Sequence, residues 1–179
     1  MRPMKPDPGI HVQTVRIPTE NGGVSALLLS PLTAPKNAAG ILWLHGGGYI
    51  AGMKEMVHAS RAIDLVKKFG VAVLSPGYRL ALKAPYPAAI DDCYAALLYL
   101  KAHAAAFGFR SDQLMVGGES AGVPAELDVY HSDMHAFDMM RPDDALSIQA
   151  AEAFNTRFAD AQARLFAPQH EIQEERHDS

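Results

Sequence analysis

Cysteine, long apolar runs and blocks of basic residues are all scarce in this chain of 179 residues. The single cysteine, Cys93, excludes an internal disulfide, so we expect a reducing, cytoplasmic setting. No apolar run approaches the roughly 18–20 residues of a membrane-spanning helix, and the proline-rich start lacks the apolar core of a secretion signal. With a net charge of −4 and no basic run beyond Lys67-Lys68, the sequence gives no indication of nucleic-acid binding.

What the chain does contain is apolar residues, which make up 49% of it and are enough to build the core of one domain. We expect a flexible arm over residues 1–10 and a single domain over residues 11–168. The charged stretch over residues 169–179 is predicted to be a disordered tail.

Short apolar segments alternate with helical patterns along the chain, and this order predicts an α/β fold. Asn21-Gly22-Gly23 predicts a hairpin turn, and Gly70 is expected to end a helix. The predicted strands are Val12–Ile17, Val24–Leu29, Ile41–Leu44, Val71–Leu74 and Gln113–Val116, and the predicted helices are Glu55–Phe69, Ala88–Phe107 and Asp143–Ala167.

The second of these helices carries two further patterns. Asp91 and Asp92 fall in its first turn, where the helix dipole favours acidic side chains. Its larger apolar residues are expected on one face, namely Ile90, Tyr94, Leu97 and Leu98.

Two glycine-rich motifs each follow a strand-like segment. Residues 118–122 form a G-x-S-x-G pentapeptide directly after the apolar run that ends at Val116. A sharp turn at the end of a strand exposes the central serine, Ser120, to a base and a substrate. The other motif, His45-Gly46-Gly47-Gly48, follows the strand predicted at Ile41–Leu44 and is a candidate oxyanion hole.

With these motifs the chain resembles the hormone-sensitive-lipase-like branch of the α/β-hydrolase esterases. The similarity runs from about Val12 to about Phe166, and its motifs occur in the family's order. The matching stretches are residues 45–49 (HGGGY), 78–81 (YRLA), 85–93 (PYPAAIDDC), 118–122 (GESAG) and 129–137 (VYHSDMHAF). The resemblance implies a mostly parallel sheet with helices on both faces, short-chain ester substrates, a serine acyl-enzyme and no cofactor.

The resemblance also implies a role for individual residues. Ser120 matches the family's nucleophile, and the amides of Gly47, Gly48 and Ala121 match its oxyanion donors. His135, in the stretch His-Ala-Phe, matches the general base that takes and returns the proton. His131 is the alternative base, although the family usually has proline at that position.

The chain departs from the family between the nucleophile and the histidine. Only fifteen positions separate Ser120 from His135, whereas the family has there a helix, two strands, part of a lid and the acid of the triad. We therefore expect a truncated α/β-hydrolase fold with the lid and two strands missing. Three acidic residues lie nearby in sequence, but none matches the acid motif and none is assigned: Asp128, Asp133 and Asp138.

The short connection also limits how the last predicted strand, within residues 123–130, is placed. Seven residues separate Gly117 from Ala125, fewer than the dozen or so that a crossover between neighbouring parallel strands needs. This strand then runs antiparallel, lies elsewhere in the sheet, or pairs with another chain. An exposed sheet edge predicts a homo-oligomer.

Two functions of different class follow from these patterns, with a third possibility that the chain has none. The first is a carboxylic-ester hydrolase that is impaired by loss of the triad acid. The second is a non-catalytic remnant that binds a small apolar ligand or a partner chain, and the third is a truncation product without function. A metal site at His131 and His135 is not expected, because the pattern lacks the glutamate of the zinc-protease motif.

Overall fold

A five-stranded sheet forms the centre of the protein, for which a computed structural model describes residues 5–20, 22–33, 38–119 and 141–165. The strands are β1 (Ile10–Ile17), β2 (Val24–Pro31), β3 (Ala38–Leu44), β4 (Ala72–Pro76) and β5 (Phe109–Gly118). The helices are a 3₁₀ helix (Lys54–Ala59), α1 (Ala62–Phe69), α2 (Ala88–Ala102) and α3 (Ala145–Leu165).

The strand order is β1-β2-β4-β3-β5. The pairings of β2 with β1 and with β4 are antiparallel, and those of β3 with β4 and with β5 are parallel. The sheet is thus mixed, with the parallel strands grouped on one side. Because β3, β4 and β5 run in the same direction, their C-terminal ends meet at one edge of the sheet, where α/β proteins place their sites.

Helices cover both faces of this sheet, as expected. Side chains alternate along β3, so that Ile41 and Trp43 pack in one core cluster with Leu65 of α1. Leu42 points to the opposite face and packs in a second cluster with Leu100 of α2. The α/β class predicted from the sequence is confirmed, and the described residues contribute five strands to the sheet.

The single helix predicted over Glu55–Phe69 is wrong, because the chain breaks at Ser60 into a 3₁₀ helix and α1. Ser60 is extended, with φ −91° and ψ 172°. Its hydroxyl donates to the Val57 carbonyl oxygen at 2.8 Å and accepts from the Ala62 N–H at 3.1 Å. A serine that satisfies backbone groups in this way favours a helix boundary over a helix interior. Gly70 ends α1 in the left-handed conformation, as predicted.

The apolar face predicted for α2 is turned to the outside of the protein. Ile90, Tyr94 and Leu98 are each half or more exposed, and Leu97 is partly buried. Another face of α2 contacts the sheet instead. This face contains alanines, whose small side chains let the helix approach the sheet closely. The buried residues of α2 are Ala88, Asp92, Ala96 and Leu100.

β5 begins at Phe109, earlier than the predicted start at Gln113. The strand has polar residues near its start because β5 lies at the edge of the described sheet. Ser111 and Asp112 are exposed there. Polar residues at a sheet edge do not produce the apolar pattern on which the prediction depended.

Candidate active site at the ends of β3 and β5

The two glycine-rich motifs begin at adjacent strand ends. Leu44, the last residue of β3, is the parallel partner of Gly118, the last residue of β5. The Glu119 N–H continues the ladder by donating to the Leu44 carbonyl oxygen at 3.1 Å. The strand that precedes His45 and the strand that precedes Ser120 are therefore direct neighbours.

Close backbone approach explains the glycine at position 118. A Cβ atom there would lie 2.7 Å from the Leu44 carbonyl oxygen, a distance that real Cβ atoms do not tolerate. The glycine thus lets β5 pair with the end of β3. The pairing of the two strands therefore requires glycine at position 118, in addition to its place in the G-x-S-x-G motif.

The loop from His45 to Ala51, here called the glycine loop, makes a tight turn after β3. The Gly47 carbonyl oxygen accepts hydrogen bonds from the Ile50 N–H at 3.1 Å and the Ala51 N–H at 3.0 Å. Gly47 has φ +116°, and a Cβ atom on it would lie 2.2 Å from the Ala51 carbonyl oxygen. Only glycine fits this turn.

Within the described part of the chain, the amides of Gly47 and Gly48 have no acceptor. Among the hydrogen bonds that join described residues, none has either N–H as its donor. Backbone amides held in a fixed turn are the groups that stabilise a developing oxyanion. The oxyanion-hole role of Gly47 and Gly48 stays a prediction, with which this loop is compatible.

His45, at the start of the glycine loop, is packed in the interior of the protein. Its ring is buried and stacks on Tyr78, with the ring centroids 4.0 Å apart and the planes 7° from parallel. Nδ1 lies 2.9 Å from the Gly46 carbonyl oxygen, to which it donates. Burial lowers the pKa of His45, against smaller raising effects of the Gly46 hydrogen bond and of Glu55. The ring is thus neutral near pH 7 and is packed away from solvent.

Tyr78 also binds the backbone of His45 through a hydrogen bond. The Tyr78 hydroxyl donates to the His45 carbonyl oxygen at 2.7 Å. Burial, with smaller effects of Cys93 and Tyr49, raises the pKa of Tyr78 to about 12. The hydroxyl therefore remains a donor throughout the physiological pH range.

The YRLA motif, which includes Tyr78, is fixed to α2 by an ion pair that the sequence did not reveal. Arg79 Nη2 and Nε contact the Asp92 carboxylate at 2.8–3.1 Å, and the Arg79 N–H donates to it at 2.8 Å. The Asp92 side chain is only 2% exposed. Its position in the first turn of a helix suggested a dipole effect, whereas its main partner is Arg79.

Cys93, next to Asp92 in the sequence, has a thiol that could act as a nucleophile if it were deprotonated. Burial, and to a smaller extent the charge of Asp92, raises the pKa of Cys93 to about 12. The thiol is therefore protonated near pH 7 and is a weak nucleophile.

The structure describes only part of the predicted site. Gly47 and Gly48 lie in the glycine loop, beside the strand that leads to Glu119. The other predicted residues, with the last predicted strand, lie outside the described residues: Ser120, Ala121, His135, the alternative base His131 and the unassigned Asp128, Asp133 and Asp138.

Two other kinds of site were sought in the described part of the chain. Its histidines, cysteine and acidic residues form no group of three or more that could hold a metal ion. No helix within the described ranges combines the length and the apolar character that crossing a membrane requires.

The parallel strands, the covering helices and the glycine loop after β3 define an α/β protein with its candidate site at the C-terminal ends of the parallel strands. Residues 41–129 match the family model described as alpha/beta hydrolase fold. This match agrees with the resemblance noted in the sequence, and the chain has an α/β-hydrolase fold.

Curated relatives of the chain include a lipase and acetyl esterases. Hormone-sensitive lipase of Bos taurus is 32% identical over 96 residues, which are 54% of this chain and 13% of the lipase. Acetyl esterase of Salmonella paratyphi A is 33% identical over 116 residues, which are 64% of this chain and 35% of the esterase. The chain thus spans about a third or less of the length of these relatives.

Solved structures of esterases are also similar to this chain over part of their length. A bacterial heroin esterase is 30% identical with a TM-score of 0.57, and the match covers 62% of this chain and 35% of the esterase. A thermostable carboxylesterase from a metagenomic library is 31% identical with a TM-score of 0.58, covering 66% of this chain and 40% of the enzyme. The shared part includes more than half of this chain in both comparisons.

Proposed function

We propose that the chain is a carboxylic-ester hydrolase that acts on short-chain acyl esters through a serine acyl-enzyme. The observation that carries this proposal is the pairing of Leu44 with Gly118, since it brings the glycine loop and the strand leading to Ser120 side by side. The names of the relatives support the same reaction class, because acetyl esterase and carboxylesterase are among them.

The proposed reaction has two halves. Ser120 Oγ attacks the acyl carbon while His135 takes the hydroxyl proton, and the carbonyl oxygen becomes negative. The amides of Gly47, Gly48 and Ala121 donate hydrogen bonds to that oxygen. His135 then gives the proton to the departing alcohol, and water, activated by the same base, releases the carboxylic acid and restores the serine.

Turnover is proposed to be slow, since the sequence has no residue that matches the acid of the triad. That acid holds the imidazole in the correct tautomer and stabilises its protonated form. In a serine protease, removing its charge lowers turnover by about 10⁴-fold. We expect a loss of similar order relative to full-length esterases.

Hydrolysis of p-nitrophenyl acetate and p-nitrophenyl butyrate tests the proposal. The purified chain is expected to release p-nitrophenol faster than the same amount of its Ser120→Ala variant. Equal rates for the two proteins would refute the enzymatic function.

A non-catalytic remnant is the second candidate, and the outer face of α2 is the observation that favours it. Ile90, Tyr94 and Leu98 leave an exposed apolar stripe along this helix. Stripes of this kind mark contact surfaces in soluble proteins. A chain without Ser120-dependent hydrolysis that binds a partner through this stripe would support this second function.

A homo-oligomer is proposed on independent grounds. Within the described residues, β5 pairs with β3 and stands at the end of the sheet. Val116, on this strand, is 45% exposed. An exposed apolar residue on the last strand of the described sheet favours pairing with a second copy of the chain.

A further inference from the structure

The segment Tyr78–Ala81 contacts both ends of the first half of the glycine loop. At the beginning, the Tyr78 hydroxyl donates to the His45 carbonyl oxygen at 2.7 Å while the two rings stack. At the far end, the Ala81 N–H donates to the Tyr49 carbonyl oxygen at 2.8 Å. The residues between these two contacts are the candidate oxyanion donors and Gly46.

The far contact lies at a strained position of the backbone. Tyr49 has φ +62°, a conformation that side-chain-bearing residues rarely adopt. Such a conformation persists where surrounding contacts hold it. The hydrogen bond from Ala81 is a contact that holds it, so the shape of the loop depends on where the segment Tyr78–Ala81 sits.

The middle of the same segment is fixed to α2. Arg79 bonds the Asp92 carboxylate through its guanidinium and its backbone N–H, and Arg79 Nη2 reaches the Ala88 carbonyl oxygen at 3.3 Å. Bidentate, charge-assisted hydrogen bonds fix direction as well as distance. The Asp92 side chain is nearly completely buried, and Arg79 is the cation that pairs with it.

We propose that Arg79 and Asp92 are positioning residues for the oxyanion hole. The pair fixes the segment Tyr78–Ala81 against α2, and this segment in turn holds the glycine loop so that the Gly47 and Gly48 amides keep their direction. Oxyanion donors act only when they lie within hydrogen-bond distance of the developing charge. The effect on catalysis rests on the proposed esterase function, whereas the effect on the loop does not.

Hydrogen exchange followed by mass spectrometry tests the effect on the loop. The variant Asp92→Asn keeps the size of the side chain and removes its charge. We expect amides of Ile50, Ala51 and Ala81 to exchange about tenfold faster, with the amides of β3 and β4 unchanged. The control is Asp112→Asn, which removes the charge of an ion pair with Arg110 on β5, away from this loop.

Two results would overturn the proposal. One is exchange in the glycine loop that matches the wild-type chain, and the other is acceleration spread evenly over the sheet. If Asp92→Asn does not fold, Arg79→Lys decides in its place, because lysine keeps the charge and loses the bidentate geometry. The same local acceleration is expected, and its absence in the folded variant contradicts the proposal.

Hydrolysis of p-nitrophenyl acetate tests the consequence for catalysis. Asp92→Asn is expected to lower kcat about 10- to 100-fold and to change KM by less than about threefold, because misplaced donors affect the transition state more than substrate binding. If the wild-type chain shows no Ser120-dependent hydrolysis, the esterase function fails while hydrogen exchange still decides the positioning role. A local loss of protection with unchanged kcat would refute the catalytic consequence alone.

Discussion

Leu44 and Gly118 are direct partners across the parallel pairing of β3 with β5, and the Glu119 N–H adds a hydrogen bond of 3.1 Å to the Leu44 carbonyl oxygen. Neighbouring strands lie about 4.8 Å apart, so the chain segments that follow them begin within reach of a single small ligand. One of these segments is the glycine loop, and the other leads to the candidate nucleophile.

Alanine at Gly47 and at Gly48 should have different consequences. A Cβ atom at Gly47 would meet the Ala51 carbonyl oxygen at 2.2 Å, whereas one at Gly48 would meet no atom of the described residues within 4 Å. We expect Gly47→Ala to lower the free energy of unfolding by about 2–3 kcal/mol and Gly48→Ala, with only its positive φ as a cost, by about 1 kcal/mol. Urea titration measures both values, and equal losses would contradict the described loop.

Stability should fall as the pH drops below about 6.5, because burial lowers the pKa of His58 and of His45. In the unfolded chain these rings take up protons near their ordinary pKa of 6.5, whereas in the folded chain they remain neutral to lower pH. Protons therefore favour the unfolded state, and the contribution to stability is present above pH 6.5 and lost below it.

Urea titrations at pH 7.5 and pH 5.5 measure this dependence. The variant His58→Gln should lose less stability between the two pH values than the wild-type chain does. The control is His11→Gln, because His11 is exposed on β1. A His58→Gln variant with the full wild-type dependence would show that the buried ring does not contribute.

A lysine at Val116 should weaken self-association. The charge would lie on β5, the last strand of the described sheet, where it opposes pairing with a strand of a second copy. Ile148→Lys on α3 is the matched control, because Ile148 is 47% exposed and Val116 is 45% exposed. Light scattering at micromolar concentration should give an oligomer for the wild-type chain and the control, and a smaller species for Val116→Lys. A monomeric wild-type chain would refute the oligomer.

The two candidate bases are distinguished by their alanine variants. Hydrolysis of p-nitrophenyl acetate should fall further in His135→Ala and stay unchanged in His131→Ala, since only His135 matches the family's base. An inactive His131→Ala beside an active His135→Ala would reverse the assignment. Wild-type turnover as fast as that of full-length esterases would show that a substitute acid exists, with Asp133 or Asp138 the first to test.

The sequence predicted the buried strands of this fold better than its helices. β3 carries a continuous apolar run because it is covered on both faces, and such a run is recognisable without a structure. The break at Ser60 was missed, since the apolar periodicity continues across it. The outward face of α2 was not foreseen, because helical spacing shows which residues share a face but not which face meets the sheet.

The candidate site was predictable to the extent that its signal is local. The turn that requires glycine at position 47 involves only neighbouring residues, so the sequence motif is enough to predict it. The ion pair of Arg79 with Asp92 joins two elements, and neither residue alone indicates the other. The roles of Ser120, Ala121 and His135 stay predictions, as these residues lie outside the described part of the chain.

Covalent labelling with a fluorophosphonate, followed by peptide mass spectrometry, tests the central claim most directly. The reagent reacts with a serine that a base and oxyanion donors activate. The account predicts that the wild-type chain carries the label on Ser120 and that the Ser120→Ala variant remains unlabelled. Equal labelling of the two proteins, or a label on a different serine, would contradict it.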